Sequence, residues 1–351
     1  MPDVAVVGFA QAPNVRSTPG TTNGVEMLVP IFAEVFERTG LSKEDIGFWC
    51  SGSSDYLAGR AFSFIAAVDA IGAFPPIHES HVEMDAAWAL YEAWLKIRMG
   101  EVETALVYGF GKSSAGQLRR VLALQMDPYV VAPLWPDSVS VAGIQARLGL
   151  ESGLWSEKDL AEVAARSRAD AAGNPAAQLS GTVEVAELLD APYFADPLRA
   201  HDIAPITDGA AVLVLASAER AADLVDSPAV ITGIEHRVDS PALGVRDLTK
   251  SPSTAAAGRA LDLDGVEVAE LHAPFTHQEL ILRDALGLGD QVRINPSGGV
   301  LTGNPMFSAG LARIGEAANR VLDGSARKTL AHATSGPVLQ QNLVATLEVL
   351  S

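Results

Sequence analysis

The sequence predicts an α/β protein built from layers of helices and sheets. Short apolar runs typical of buried strands alternate with helical segments along both halves of the 351 residues. Hydrophobic residues make up 48% of the chain and charged residues 19%, which indicates a folded chain with a large core. This length suits one large domain or two closely packed ones.

The first half is predicted to span residues 1–225, with a loop insertion over about 112–200. A helix over 83–99 is apolar on nearly every face, and such a helix is buried. The pattern Ser156-Glu157-Lys158-Asp159 resembles a capping box and predicts a helix over 156–172. The other elements predicted here are a strand at 4–9, a helix at 22–39 with Asn23 as a candidate cap and Gly40 as its end, and strands at 104–110 and 209–216.

The second half is predicted to span residues 226–351, because Asp226-Ser227-Pro228 interrupts the pattern. A strand-like run begins at residue 229. The elements predicted after it are a strand at 266–271, a helix at 276–287, a Gly-rich loop at 297–304, a helix at 306–322 and a strand at 343–349.

Charge and cysteine content exclude several classes of function. The formal net charge of −18 argues against nucleic-acid binding, which needs clustered Lys and Arg. We expect a cytoplasmic protein, since the sequence shows no signal-peptide pattern and no apolar run near the ~20 residues of a membrane span. The single cysteine, Cys50, allows no internal disulfide. His78 and His81 lie near Glu79 and Glu83, but no metal site is predicted from them.

Five ordered blocks carry a family resemblance. The four in the second half are His272-Ala-Pro-Phe275, Asn295-Pro-Ser-Gly-Gly299, Gly303-Asn304-Pro305 and His332-Ala-Thr-Ser-Gly336; Thr207-Asp-Gly-Ala-Ala211 precedes them. They resemble active-site loops of the thiolase superfamily. The resemblance is strongest to the sterol-carrier-protein branch, where the four blocks read HDCF, NPSGG, GHP and HN-x-G.

The resemblance implies a fold, a substrate class and partners. The fold would be two similar βαβ-type halves in an α-β-α-β-α core, and the substrate an acyl-CoA thioester with no covalently bound cofactor. The sequence also resembles the actinobacterial "lipid-transfer protein" group, which is associated with steroid side-chain breakdown. That implies a homodimer, or a heterodimer with a thiolase-like paralogue, and an OB-fold, zinc-ribbon acyl-CoA-binding partner.

Three positions depart from the family pattern. Asp85 falls where the nucleophilic cysteine is expected, at the start of a buried helix. Pro274 replaces the second cysteine, and Asn304 replaces the histidine of GHP, which activates the nucleophile. Asparagine does not titrate near neutral pH, although it still orients ligands. The resemblance therefore implies an acyl-CoA pocket without thiolase chemistry.

The candidate site residues each have a functional and a structural interpretation. His272 would donate to the thioester oxygen and stabilise an enolate, or be a buried histidine bonded to backbone. Asp85 would be a general base, or a helix cap. His332 would shuttle protons, or anchor a loop. The residues expected to contact the CoA thioester are Gly298, Gly299, Ser335 and Gly336.

Two functions remain open from the sequence. The first is a carbon–carbon lyase that cleaves a β-hydroxyacyl-CoA into a ketone and a short acyl-CoA by a retro-aldol step, with Asp85 or His332 as base. The second is a non-catalytic thiolase-like subunit that supports an active paralogue. Aldolase relatives are expected to place a tyrosine among the C-terminal loops, whereas the five tyrosines here all precede them.

Overall fold

Strands and helices alternate along the computed structural model, which describes residues 1–19, 24–55 and 62–350. Its strands are β1 (Val4–Gln11), β2 (Phe48–Gly52), β3 (Glu79–Val82), β4 (Thr104–Gly111), β5 (Tyr193–Ala195), β6 (Leu198–Arg199), β7 (Ile206–Thr207), β8 (Gly209–Ser217), β9 (Ala229–Val238), β10 (Val268–Leu271), β11 (Arg293–Ile294), β12 (Asn304–Pro305), β13 (Lys328–Ser335) and β14 (Gln341–Val349).

The described helices include two that lie at the centre of the molecule and several that cover it. They are α1 (Val25–Thr39), α2 (Ser63–Ile71), α3 (Ala86–Arg98), α4 (Leu118–Leu124), α5 (Ser138–Glu151), α6 (Glu157–Asp170), α7 (Val185–Asp190), α8 (Ala218–Leu224), α9 (Pro252–Arg259), α10 (Thr276–Leu286) and α11 (Ala309–Leu322).

One sheet of ten strands runs through the described residues, in the order β11-β10-β13-β14-β9-β1-β8-β4-β2-β3. Five strands on each side follow the same path. Numbered along the chain within each set, both have the order 3-2-4-5-1 from edge to centre. In both sets the two outer pairings are parallel and the two inner pairings are antiparallel. The sets join where β1 pairs antiparallel with β9.

Alternate residues of the central strands face different helical layers. In β8, Leu213 and Leu215 pack with α3 and α11 between the two sets, whereas Val212 and Val214 pack with α1 on the outside. On the outer face of the second set, α9 and α10 pack over β10 and β13. The molecule is therefore layered α-β-α-β-α, and the predicted α/β fold class is confirmed.

Most of the predicted elements are present with shifts of a few residues. The helix at 22–39 begins at Val25 and ends at Gly40, whose φ of 66° gives a left-handed cap; Asn23 lies outside the described residues. The predicted capping box is confirmed, since Ser156 Oγ accepts from the Asp159 N–H at 3.3 Å and Asp159 Oδ2 accepts from the Ser156 N–H at 2.7 Å.

Four strands of the large sheet, β2, β3, β11 and β13, were not predicted from the sequence. The segment over 112–200, predicted as a loop insertion, holds the helices α4 to α7 and the β5–β6 pair. The first set of five strands ends at Ser217 and the second begins at Ala229. The domain division at 225/226 falls between them and stays a prediction.

Candidate active site

A cavity of about 720 Å³ opens where the segments after β10 and β13 meet the N-terminus of α3 and the helices α4 and α5. Loops at the ends of strands converge at this place, which is where α/β folds commonly build ligand sites. Five of the predicted site residues line the cavity: Asp85, His272, Asn304, Ser335 and Gly336.

His272 follows the last residue of β10, and backbone groups hold its ring. Its N–H donates to the carbonyl of His332 at 3.2 Å, and its Nδ1 accepts from the N–H of Thr334 at 3.4 Å. Because that backbone group only donates, the imidazole proton is on Nε2. Burial, followed by the charges of His332 and Arg313, lowers the pKa of His272 to about 3. The side chain is therefore a neutral donor near pH 7.

Asn304 lies beside His272 in the cavity wall. It is the first residue of β12, which pairs with β7, and its N–H donates to the carbonyl of Pro205 at 3.1 Å. The side-chain Oδ1 is buried and has no hydrogen-bond partner among the described residues. The amide opposes the lowering of the His272 pKa. The pair thus places one N–H donor and one carbonyl acceptor next to each other in the cavity wall.

Asp85 caps two helices at once. Its Oδ1 accepts from the N–H of Ala87 at 2.9 Å and from that of Leu311 at 3.0 Å, and its Oδ2 accepts from the N–H of Gly310 at 2.9 Å. These donors belong to the first turns of α3 and α11, whose positive dipole ends favour a carboxylate. Burial raises the pKa of Asp85, and the three N–H donors oppose that shift.

His332 lies on β13 and outside the cavity lining. Its Nε2 is 2.9 Å from Asn342 Oδ1 on the neighbouring strand, and burial lowers its pKa to about 4. The Asn342 amide nitrogen in turn donates to Ser253 Oγ at 2.7 Å. The carbonyl of His332 accepts from the His272 N–H, so this residue holds the His272 backbone in place.

Gly298 and Gly299 also lie outside the lining. Both have positive φ, at 93° and 61°. A Cβ on Gly298 would come within 2.6 Å of the Ala171 Cβ, so this position needs glycine for packing as well as for backbone conformation. The turn that they form follows Asn295, whose Oδ1 accepts from the Leu271 N–H at 2.6 Å.

Ser335 ends β13 at the cavity wall, and Gly336 follows it in the turn. Gly336 has a φ of 74°, and a Cβ there would come within 2.6 Å of Gln340 Oε1. Pro274 lines the same cavity, and its carbonyl accepts from the Ala204 N–H at 2.8 Å. The turn after β13 and the segment after β10 are therefore close to each other.

Gln278 also lines the cavity and was not predicted from the sequence. It lies in the first turn of α10, three residues after Phe275, and its Nε2 donates to Gln145 Oε1 at 2.9 Å. Its neighbours His277 and Glu279 are both buried. One sequence signal could have identified it: Phe275 is the last residue of the His272–Phe275 block, and Gln278 follows it by three residues, about one helical turn.

Arg119 brings a positive charge to the cavity. Its side chain is 85% exposed and forms an ion pair with Asp137 at 2.5 Å, so it lies at the mouth. Cys50 lies on β2, is buried and is not among the lining residues. Burial raises the pKa of its thiol, which keeps it protonated.

The part of the chain that is described has neither a candidate metal site nor a membrane-spanning helix. No group of three or more His, Cys, Asp and Glu side chains there could hold a metal ion. No described helix has both the length and the apolar character needed to cross a bilayer.

The relatives of this chain are thiolases and lipid-transfer-like proteins. No family model matches it. The acetyl-CoA acetyltransferase of Methanothermobacter thermautotrophicus is 27% identical over 203 residues, covering 48% of this chain and 53% of the enzyme. The non-specific lipid-transfer protein-like 2 of Caenorhabditis elegans is 24% identical over 270 residues, covering 64% and 65%. The chain thus matches between half and two thirds of the length of these relatives.

Solved structures match over nearly the full length. The Ltp2–ChsH2(DUF35) aldolase has a TM-score of 0.79 at 18% identity, covering 99% of this chain and 98% of that one. The acetyl-CoA acetyltransferase of Bacillus anthracis has the same TM-score and identity, covering 100% and 99%. The fold of this chain is therefore the thiolase fold, as the sequence blocks predicted.

Proposed function

We propose that this thiolase-fold protein binds an acyl-CoA thioester in the cavity and cleaves a β-hydroxyacyl-CoA by a retro-aldol reaction. The products would be a ketone and a shorter acyl-CoA. The observation that carries the proposal is the state of His272, which is neutral and protonated on Nε2 beside the Asn304 amide. A neutral donor fixed by backbone contacts is suited to an enolate oxygen.

The reaction needs one base and one oxyanion donor. The base removes the proton of the β-hydroxyl, the Cα–Cβ bond breaks as the ketone forms, and the electron pair passes to the thioester oxygen as an enolate. His272 Nε2–H stabilises that oxygen. The protonated base then returns the proton to Cα, which gives the shorter acyl-CoA and restores the site.

Asp85 is the better of the two predicted bases. It lines the cavity together with His272, whereas His332 does not. Burial raises the pKa of Asp85, which moves the carboxyl toward the range in which general bases work near neutral pH. No cysteine lines the cavity among the described residues, which argues against thiolase condensation through a covalent acyl-enzyme.

One observation favours the second function, a non-catalytic subunit that supports an active paralogue. Both oxygens of Asp85 already accept backbone N–H groups, three in all, as expected for a structural cap. A carboxylate that serves the fold in this way could be retained without any catalytic step.

Partners and acyl group are proposed from the family relationship. A neighbour in fold is itself described as an Ltp2–ChsH2(DUF35) aldolase, which supports a heteromeric complex with an OB-fold, zinc-ribbon partner. We propose a steroid side chain as the acyl group and a dimer as the minimal assembly. The exposed Arg119 at the mouth is a candidate contact for CoA phosphates.

The test is release of acetyl-CoA or propionyl-CoA from a β-hydroxy steroid acyl-CoA, followed by liquid chromatography. Release by the purified chain alone, lost in His272→Ala, would establish a lyase with its own site. Release that needs a paralogue and survives both Asp85→Ala and His272→Ala in this chain would establish the supporting subunit. No release under either condition would overturn the lyase proposal.

A further inference from the structure

A buried hydrogen-bond chain determines which way the Gln278 amide faces. Gln145 Nε2 donates to the carbonyl of Leu248 at 2.8 Å. A carbonyl only accepts, so the NH₂ group of Gln145 must face Leu248 and its Oε1 must face the opposite way. That oxygen is 2.9 Å from Gln278 Nε2 and 3.0 Å from His277 Nε2, and both of these nitrogens therefore donate to it.

Among the described residues, these hydrogen bonds leave one acceptor without a partner in the cavity wall. With its NH₂ group on Gln145, the side chain of Gln278 presents Oε1 on the other side. Gln278 is 2% exposed, it lines the cavity, and its Oε1 has no hydrogen-bond partner among the described residues. Buried acceptors are nearly always paired, so this oxygen is available to a donor on a bound ligand.

Part of the cavity wall is apolar. Phe275 lies one helical turn before Gln278, and Val139 and Ile203 line the cavity with it; all three pack against the cluster of Ala142, Ala146 and Leu198. The cation of the lining, Arg119, is at the mouth. A CoA ester would therefore keep its phosphates outside and place the hydrocarbon of its acyl group against this wall. The donor that reaches Gln278 belongs to that acyl group.

We infer that Gln278 Oε1 accepts a hydrogen bond from a hydroxyl group of the bound acyl chain and selects acyl groups that carry it over their deoxy counterparts. This hydroxyl is a second one, distinct from the β-hydroxyl whose single proton the base removes. The inference rests on the proposed function, since it takes the ligand to be an acyl-CoA. It assigns Gln278 a part in specificity that is separate from the roles of His272 and Asp85. A ligand without the hydroxyl would leave the buried oxygen unpaired and would bind less tightly.

The test compares the Kd of two β-hydroxyacyl-CoA esters, a hydroxylated ester that carries a second hydroxyl further along its acyl chain and a deoxy ester that lacks it. The affinities are measured by isothermal titration in the His272→Ala variant. This variant lacks the oxyanion donor, so turnover of both esters is suppressed. We expect this background to bind the hydroxylated ester about tenfold more tightly, the usual worth of a buried neutral hydrogen bond. Adding Gln278→Met, which keeps the length but removes the acceptor, should bring the ratio close to one.

The ratio distinguishes a local effect from general damage, because damage weakens both esters equally. Gln340→Met is the matched control: Gln340 lines the same cavity and its Nε2 lies 3.5 Å from the Asp239 carbonyl. This variant should keep the tenfold ratio.

Three outcomes would overturn the inference. A background without any preference would mean that the acceptor does not bind the hydroxyl. A preference that Gln278→Met retains would mean the same; if both esters are then weakened equally, the cause is general damage or loss of a contact common to both, such as one to a pantetheine amide. Failure of both esters to bind the wild-type protein would overturn the proposed function and this inference with it.

Discussion

Asp85 Oδ2 accepts the backbone N–H of Gly310 at 2.9 Å, across 225 residues of sequence. The carboxylate caps α3, which belongs to the first half, and Gly310 lies in the first turn of α11, which belongs to the second. One negative charge therefore satisfies the ends of both central helices.

We predict that Asp85→Ala lowers the free energy of unfolding by about 2 kcal/mol or more, because three buried N–H groups lose their acceptor. Urea unfolding of the purified variant measures this. Asp137→Ala is the control, since Asp137 caps only α5, through the Ser140 N–H at 2.7 Å, and should cost about 1 kcal/mol. Equal losses in the two variants would contradict the shared-cap interpretation.

Gly310→Ala tests the same junction from the other side. A Cβ at this position would come within 2.6 Å of Asp85 Oδ1 and 2.7 Å of the Ala333 Cβ. We expect a loss of about 1–3 kcal/mol from overpacking, despite the better helix propensity of alanine. Gly173→Ala is the matched control, because nothing lies within 4 Å of its Cβ position. Stabilisation by Gly310→Ala would show that the junction is looser than these distances indicate.

The buried histidines predict how stability depends on pH. Burial lowers the pKa of His277 to about 3, whereas an unfolded histidine titrates near 6.5. The unfolded state therefore binds more protons between these values, so the stabilisation is present above pH 6.5 and is lost as the pH falls. Between pH 6 and 5, His277→Gln should reduce the slope of stability by about 1 kcal/mol per pH unit.

Urea unfolding at several pH values measures that slope. His236→Gln, the same substitution at an exposed histidine, supplies the matched control. If His277→Gln and His236→Gln have the same slope as the wild type, His277 titrates alike in both states and the prediction is wrong.

For the proposed lyase, we predict that His272→Ala lowers kcat by about 100-fold to 1,000-fold, as expected for loss of an oxyanion donor. Steady-state kinetics on a β-hydroxyacyl-CoA measures this, with His236→Ala as a control. His272→Gln should recover part of the rate because its amide NH₂ can donate. If neither change at His272 alters kcat, this residue takes no part in the rate-limiting step and the oxyanion role is wrong.

The same residue predicts the shape of the pH–rate profile. With its pKa lowered to about 3, His272 stays neutral across pH 5–9. The pH profile of kcat near pH 6.5 should therefore have the same shape in the wild type and in His272→Gln. A limb near pH 6.5 in the wild type, absent in the variant, would mean that His272 exchanges protons rather than acting as a neutral donor.

Local patterns were sufficient to predict much of the fold. The apolar run at 104–110 and the capping box at Ser156 depend on neighbours within a few residues, and both are confirmed. The strand β2, Phe48–Gly52, was missed because five buried residues show no period that separates a strand from a loop. β13 was missed because it includes most of the block that resembles an active-site loop, His332 to Gly336.

The candidate site depended on contacts that no local pattern encodes. The blocks identified His272, Asn304 and His332 as candidate site residues. His332, however, lies outside the cavity lining, and its ring contacts Asn342 on the adjacent strand. The direction of the Gln278 acceptor depends on two contacts between residues far apart in sequence. Gln278 and Gln145 are 133 residues apart, and Gln145 and Leu248 are 103 residues apart. A single sequence gives no measure of such distances.

The repeated 3-2-4-5-1 path has a consequence for how the chain could be divided. A cut between β8 and β9 would yield two fragments, each with a complete five-strand set. The first would keep the Asp85 charge without its two partner amides, and the second would keep those amides without an anion. The fragments would have the same topology, but one would carry the Asp85 carboxylate and the other the two amides that bind it. Each fragment should therefore bind the other in preference to a second copy of itself.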